Sequence, residues 1–154
     1  VSNPYGNGGA SDKIVSTFAK ATMPKLVFLE KISGAGKKPS ILFIQDVYAN
    51  AERRFEEGKA DDAILRIYRL CEMIVQERLL SKYEVDTSDV KENKIPESLK
   101  EEFAINYKSP YDNKIKIPLN AACTMLYKLK DELGERLKSK ETEFRAIQSA
   151  RNYS

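Results

Sequence analysis

The sequence contains no histidine and no tryptophan, and it has only two cysteines among 154 residues. Without histidine, the chain forms no Ser-His-Asp triad, no Cys-His pair and no HExxH zinc site, and it offers no imidazole for acid–base catalysis. Any histidine-dependent catalysis must therefore use residues outside this stretch. Cys71 and Cys123 lie far apart, without a CxxC motif and among apolar residues, so we interpret them as buried hydrophobic side chains in a reducing, cytoplasmic setting.

Long apolar runs are also missing. No run reaches the roughly 18 residues that a membrane-spanning helix needs, so no membrane partner is predicted. Residues 1–10 lack the apolar segment of a signal peptide and are interpreted as a flexible arm or linker. The remainder, 11–154, fits a single domain, because 42% hydrophobic residues are enough for a core and the charges are of mixed sign. A net charge of +3 is too small to predict a nucleic-acid partner by itself.

Apolar residues recur at helical spacing along most of the chain, and no alternation of strands and helices is present. The pattern therefore predicts an all-α fold, a bundle of about five to seven helices. Gly58 is expected to end one helix as a left-handed cap, so that the helices on either side form an αα-hairpin. Helices are predicted at about 11–31, 40–57, 60–79 and 97–105, from Pro118 with an interruption at Gly134, and through Ile147 towards Arg151.

Acidic pairs do not predict a metal site. Asp61 and Asp62 are adjacent on a predicted helix and point about 100° apart, so we interpret them as favourable charges at a helix start. Asp86 and Asp89 lack the spacing and the final glutamate of a calcium-binding loop, and a turn with a cap is the better interpretation. No metal and no cofactor are predicted.

Arginines are denser between residues 53 and 78 than elsewhere in the chain. Arg66 and Arg69 are three positions apart, share one helix face and flank Tyr68. Two interpretations remain open at this point. The side chains either pack their stems and form ion pairs, or they present an edge that contacts phosphate groups. The acidic candidates for the ion pairs are Glu56, Glu57 and Glu72.

Four segments carry a resemblance to a known family. They are the block at 50–79, which begins NAERRFEEGKADDAILRIYR, the stretch at 83–90 with DTSDV at 86–90, the helix start at Ile95-Pro96, and RNYS at 151–154. Together they resemble the carboxyl-terminal, HEPN-like region of CRISPR-associated CARF–HEPN ancillary ribonucleases, in the Csm-six-like, Cas-02710 group. The resemblance extends over about 46–154. The hairpin around Gly58 is also similar to tetratricopeptide-type hairpins, which favours an alternative hypothesis of an α-helical protein-interaction module without catalysis.

The family resemblance implies a function for the full-length protein. It implies a homodimer that cuts single-stranded RNA without a metal, as part of type III CRISPR antiviral defence. A CARF domain outside this chain would bind the activating cyclic oligoadenylate. Arg151 and Asn152 match the first two positions of the HEPN motif, and the motif histidine would follow Ser154. The resemblance thus implies a chain cut before the motif ends and inactive on its own. A third hypothesis is a HEPN-type scaffold that binds RNA or nucleotide without cleaving it.

The motif residues suit the chemistry of RNA cleavage. When a 2′-OH attacks the adjacent phosphorus, negative charge grows on the phosphoryl oxygens, and an arginine stabilises it through paired hydrogen bonds. By resemblance, Arg151 is the anion-binding residue, and Asn152 orients a phosphate or the base. Arg66 and Arg69 are the weaker candidates for RNA backbone contacts.

Overall fold

A computed structural model describes residues 41–153. The arm at 1–10 and the predicted first helix at 11–31 lie outside this range. Within it the fold is all-α, as predicted, with six α-helices, one short 3₁₀-helix and no strand. The α-helices are α1 (Ile41–Glu56), α2 (Ala60–Tyr83), α3 (Glu97–Asn106), α4 (Leu119–Lys128), α5 (Glu132–Ser139) and α6 (Glu141–Tyr153), and the 3₁₀-helix spans Glu92–Lys94.

Contacts divide these residues into two compact units. The first contains 41–74 together with 140–153, and the second contains 75–139. The chain of α2 contributes to both units, since its first part belongs to one and its last turns to the other. The single domain expected over 11–154 stays a prediction.

In the first unit, α1 and α2 follow each other across a tight turn. Gly58 has a φ of +75°, which is the left-handed conformation that glycine adopts without steric cost. The Lys59 N–H donates to the carbonyl of Arg54 at 2.9 Å and closes the end of α1. The predicted cap is therefore confirmed. Asp61 and Asp62 occupy the first turn of α2, as expected for acidic residues at a helix start.

The core of the first unit uses one apolar face from each of α1, α2 and α6. The spacing of three and four positions that predicted these helices is the spacing of their buried side chains. The buried side chains include Ile44, Tyr48, Ala51, Ile64, Ile67, Leu70, Cys71, Phe144, Ile147 and Ala150.

In the second unit, the segment between α2 and α4 contains short extended stretches held by single hydrogen bonds. The Val90 N–H donates to the Ile115 carbonyl, and the Ile117 N–H donates to the Thr87 carbonyl, both at 2.9 Å. Ile115 and Ile117 are both buried. Asp86 accepts the backbone N–H of Ser88 at 2.8 Å, so this aspartate stabilises a turn.

The prediction of a helix interrupted at Gly134 is wrong. The break lies earlier, because α4 ends at Lys128 and Lys130 has a φ of +54°. Asp131 then caps α5, since its carboxylate accepts the N–H of Leu133 at 2.9 Å. Gly134 lies inside α5, where a Cβ would press against the backbone of Leu126 at the end of α4. Gly134 therefore allows α4 and α5 to pack closely against each other, and it does not interrupt a helix.

Asp131 is also the centre of a buried polar cluster. Its side chain is 0% exposed and accepts hydrogen bonds from Arg78 Nε at 3.0 Å, Lys82 Nζ at 2.9 Å and Tyr83 Oη at 2.8 Å. Burial alone would raise the pKa of Asp131, but the hydrogen bonds from Lys82, Tyr83, Arg78 and the Leu133 N–H outweigh it and lower the pKa. The carboxylate therefore stays ionised inside the second unit.

Candidate functional site

Arg151 occupies the last turn of α6, in the first unit. The helix buries Phe144, Ile147 and Ala150 along one face, and Arg151 directly follows the last of these. Its backbone is thus fixed at the edge of the core while its side chain is exposed. The guanidinium carbon of Arg151 lies over the ring of Tyr68 on α2, 4.4 Å from the ring centroid. This distance is that of a close cation–π contact.

The guanidinium of Arg151 forms no ion pair with any residue in 41–152. Other arginines of the first unit are paired, for example Arg69 with Glu72 at 3.0 Å and Arg54 with Glu57 at 3.0 Å. A guanidinium is planar and carries five N–H groups, and those of Arg151 that do not interact with the Tyr68 hydroxyl remain available. Among residues 41–152 no ion pair balances this cation, and its N–H groups are of the kind that bind a bidentate anion.

Tyr68 is half-buried below this cation. Burial raises the pKa of the Tyr68 hydroxyl, and the charge of Arg151 opposes the shift only in part. The phenol therefore remains neutral at physiological pH, and its ring keeps the aromatic face that attracts the guanidinium. Sequence reasoning placed Tyr68 between two arginines but did not find its contact with Arg151, for which no local pattern exists.

Arg66 and Arg69 each lie beside a carboxylate. Arg69 Nη1 is 3.0 Å from Glu72, one of the ion pairs considered from the sequence. Arg66 Nη2 is 3.9 Å from Asp62 on the preceding turn, a partner the sequence reasoning did not name. Arg69 is thus paired on its own helix, whereas Arg66 has only this longer contact, to a carboxylate that Arg54 Nε also approaches at 3.5 Å. Asn152 follows Arg151 in the last turn of α6 and is exposed.

Other chemically active groups are sparse in the described part of the chain. Within it, no three acidic or cysteine side chains cluster in a way that would hold a metal ion. Both cysteines are free thiols. Cys71 is buried, and burial raises the pKa of the Cys123 thiol to about 12, so that this cysteine is a poor nucleophile at neutral pH.

The general class is that of an all-α protein, with an exposed arginine in the last turn of the last described helix. The family is more specific. The model of the Csm6 HEPN domain matches residues 32–154, which is most of the chain, and the chain belongs to this CRISPR-associated family. Comparison with curated proteins and with solved structures gives no significant match. Among residues 41–153, no helix combines the length and the apolar character needed to cross a membrane.

Proposed function

We propose that this chain is the HEPN part of a metal-independent endoribonuclease of type III CRISPR defence that cuts single-stranded RNA. The observation that carries the proposal is the guanidinium of Arg151, stacked on Tyr68 and without an ion-pair partner among the described residues. Family membership supports it independently, because the model of the Csm6 HEPN domain matches residues 32–154. By resemblance, Arg151 and Asn152 are the first two positions of the HEPN motif in that region.

In the proposed reaction, the 2′-OH of one nucleotide attacks the adjacent phosphorus and the bond to the next 5′ oxygen breaks. The products are a 2′,3′-cyclic phosphate and a 5′-hydroxyl. Arg151 donates to the non-bridging phosphoryl oxygens, where charge grows in the transition state. Asn152 orients the phosphate from the same helical turn. Proton transfer requires the motif histidine, which the resemblance places after Ser154, and we expect residues 1–154 alone to bind RNA without cutting it.

Two further features of the proposal concern the assembly. The HEPN part acts as a homodimer, so that a two-fold axis brings two copies of Arg151 to one cleft. Cyclic oligoadenylate binds to a CARF domain elsewhere in the polypeptide, and cleavage takes place in the cytoplasm. None of these steps uses a cofactor.

The test replaces Arg151 with alanine in the full-length protein and measures cleavage of a fluorophore–quencher RNA in the presence of cyclic oligoadenylate. Removing one donor to a transition-state oxyanion lowers kcat by roughly 100- to 1,000-fold, and we expect a loss of that order. Arg145 provides a matched control on the same helix. It is exposed and already paired with Glu141, so Arg145→Ala should leave kcat within about twofold.

Equal cleavage by Arg151→Ala and the wild type would refute the assignment of Arg151. Absence of any RNA cleavage or binding by the full-length protein would instead favour the protein-interaction module suggested by the α1–α2 hairpin. RNA binding without cleavage in the wild type would favour a non-catalytic scaffold.

A further inference from the structure

The turn between α3 and α4 presents an aromatic ring to solvent. Tyr111 is 97% exposed, well above the other large apolar or aromatic side chains of the described chain. A single exposed tyrosine is common on protein surfaces and needs no explanation by itself. Here, however, the ring lies on an ordered turn that is rich in lysine. An aromatic ring next to lysine side chains is a combination that binds particular ligands.

Backbone and side-chain hydrogen bonds order the turn. The Ser109 N–H donates to the Lys114 carbonyl at 2.8 Å, and the Lys116 N–H donates to the Tyr107 carbonyl at 3.0 Å. Asp112 accepts the Lys114 N–H at 3.2 Å and pairs with the Lys116 ammonium at 2.7 Å. The Lys116 ammonium, the Ser109 hydroxyl and the Lys114 N–H lower the pKa of Asp112, so its carboxylate stays charged in this position.

The turn is also fixed to the second unit. Ile115 is buried directly after Lys114, and its carbonyl accepts the Val90 N–H at 2.9 Å. The ring of Tyr111 therefore projects from a backbone that is anchored next to it. Because this backbone is already ordered, the protein loses little conformational entropy when a ligand stacks on the ring, and this favours binding.

The charges of the turn favour an anion next to the ring. Lys116 is balanced by Asp112, and Lys108 lies 3.2 Å from Glu92. Lys114 is exposed and forms no ion pair within the described chain, so the turn keeps one uncompensated ammonium three positions from Tyr111. Protein interfaces are depleted of lysine, whereas single-stranded nucleic acid is bound by aromatic rings together with lysine side chains.

We propose that the turn formed by residues 107–116 is a second contact for single-stranded RNA, with one base stacked on Tyr111 and an adjacent phosphate paired with Lys114. The inference rests on the proposed ribonuclease function for its RNA ligand, but it uses residues of the other unit and no residue of the proposed cleavage site. Stacking on tyrosine is tolerant of sequence, so the contact adds affinity without selecting particular bases.

The test measures binding of a 3′-fluorescein-labelled oligouridine of about ten nucleotides to the 154-residue chain by fluorescence anisotropy. Tyr111→Ala should weaken binding by about tenfold, because loss of one base–aromatic stack has an effect of that order. Tyr111→Phe keeps the ring and should stay within about twofold of the wild type. Lys114→Gln should weaken binding by about threefold and reduce the salt dependence by about one phosphate contact.

Tyr127 provides a matched control in the same unit. It is a second exposed tyrosine, at 42% exposure, near the end of α4, and Lys128 and Lys130 follow it in the sequence, so it tests whether any exposed tyrosine close to lysines contributes to RNA binding. Tyr127→Ala should leave the RNA affinity unchanged. Because Tyr111 is almost fully exposed, its replacement should not affect folding, which a thermal melt would verify.

The outcomes separate the two proposals. If the wild type binds RNA and Tyr111→Ala binds equally well, the turn is not an RNA contact, and a protein partner becomes its more reasonable ligand, while the ribonuclease proposal stands. If the wild-type chain does not bind the oligouridine at all, the proposal for the turn fails, and the ribonuclease proposal is decided by the cleavage assay on the full-length protein. An equal loss in Tyr111→Ala and Tyr127→Ala would also overturn the specific assignment of Tyr111.

Discussion

Replacing Asp131 with alanine should strongly destabilise the protein. The carboxylate is 0% exposed and is the common acceptor for Arg78, Lys82 and Tyr83. Removing one partner of a buried ion pair leaves the other charge uncompensated, at a cost of about 3–5 kcal/mol. Loss of the cap on α5 adds about 1 kcal/mol. The side chain of Lys82 is 46% exposed, so water solvates its ammonium group when Asp131 is removed, and this reduces the cost. We therefore expect Asp131→Ala to lower the free energy of unfolding by about 4 kcal/mol.

The assay is urea denaturation of the 154-residue chain, followed by circular dichroism. Small domains have a free energy of unfolding of only about 5–15 kcal/mol, so Asp131→Ala retains little stability. Asp131→Asn is therefore included as a second, less destabilised variant. Asparagine keeps one carbonyl oxygen for the Leu133 N–H, but it loses the charge and replaces the oxygen that accepts from Lys82 and Tyr83 with an NH2 group, so the expected cost is about 2–3 kcal/mol. Glu97→Gln is the control, because this exposed ion pair with Lys100 contributes at most about 0.5 kcal/mol.

The pH dependence gives a second measurement of the same cluster. The folded protein lowers the pKa of Asp131 below the unfolded value of about 3.9, so the stabilisation is present above pH 4 and is lost as the pH falls through the folded pKa. Asp131→Asn should therefore flatten the acid limb of the stability curve below about pH 4. A cost under about 1 kcal/mol for Asp131→Ala, together with an unchanged acid limb, would refute the role given to this carboxylate.

Two further predictions concern close contacts. Gly134→Ala should lower the free energy of unfolding by about 2–3 kcal/mol in the same urea assay, because the added Cβ presses on the backbone of Leu126 and Tyr127. An unchanged midpoint of the urea transition would contradict the close approach of α4 and α5. Tyr68→Leu should abolish the upfield ring-current shift of the Arg151 side-chain protons in NMR spectra, whereas Tyr68→Phe should preserve it; an equal shift in both variants would exclude the stacked geometry.

Much of the helical architecture follows from the spacing of apolar residues. The hairpin of α1 and α2 was predicted together with its cap, because Gly58 ends one apolar pattern and acidic residues begin the next, and both signals are local. The interruption placed at Gly134 was wrong for a physical reason. Glycine also permits two helices to approach, and sequence alone does not distinguish that use from a break.

The candidate site was predictable only in part. Resemblance to a family motif singled out Arg151. Apolar periodicity predicts which face of a helix is buried, but it does not predict which side chains of different helices contact each other. Its contact with Tyr68 joins residues that are distant in the chain, and so does the contact of Arg78 with Asp131. Arg78 belongs to the same arginine-rich stretch as Arg66 and Arg69, yet it is only 2% exposed. Partner choice of this kind depends on tertiary packing.

The stack of Arg151 on Tyr68 has a consequence for protein synthesis. Ribosomes add roughly 5–20 residues per second, so Tyr68 emerges on the order of ten seconds before the arginine that it holds. Throughout that interval the growing polypeptide has the aromatic platform but no guanidinium to place on it. Because the two halves of the contact are distant in the sequence, a nascent chain, or one truncated before Arg151, lacks the contact.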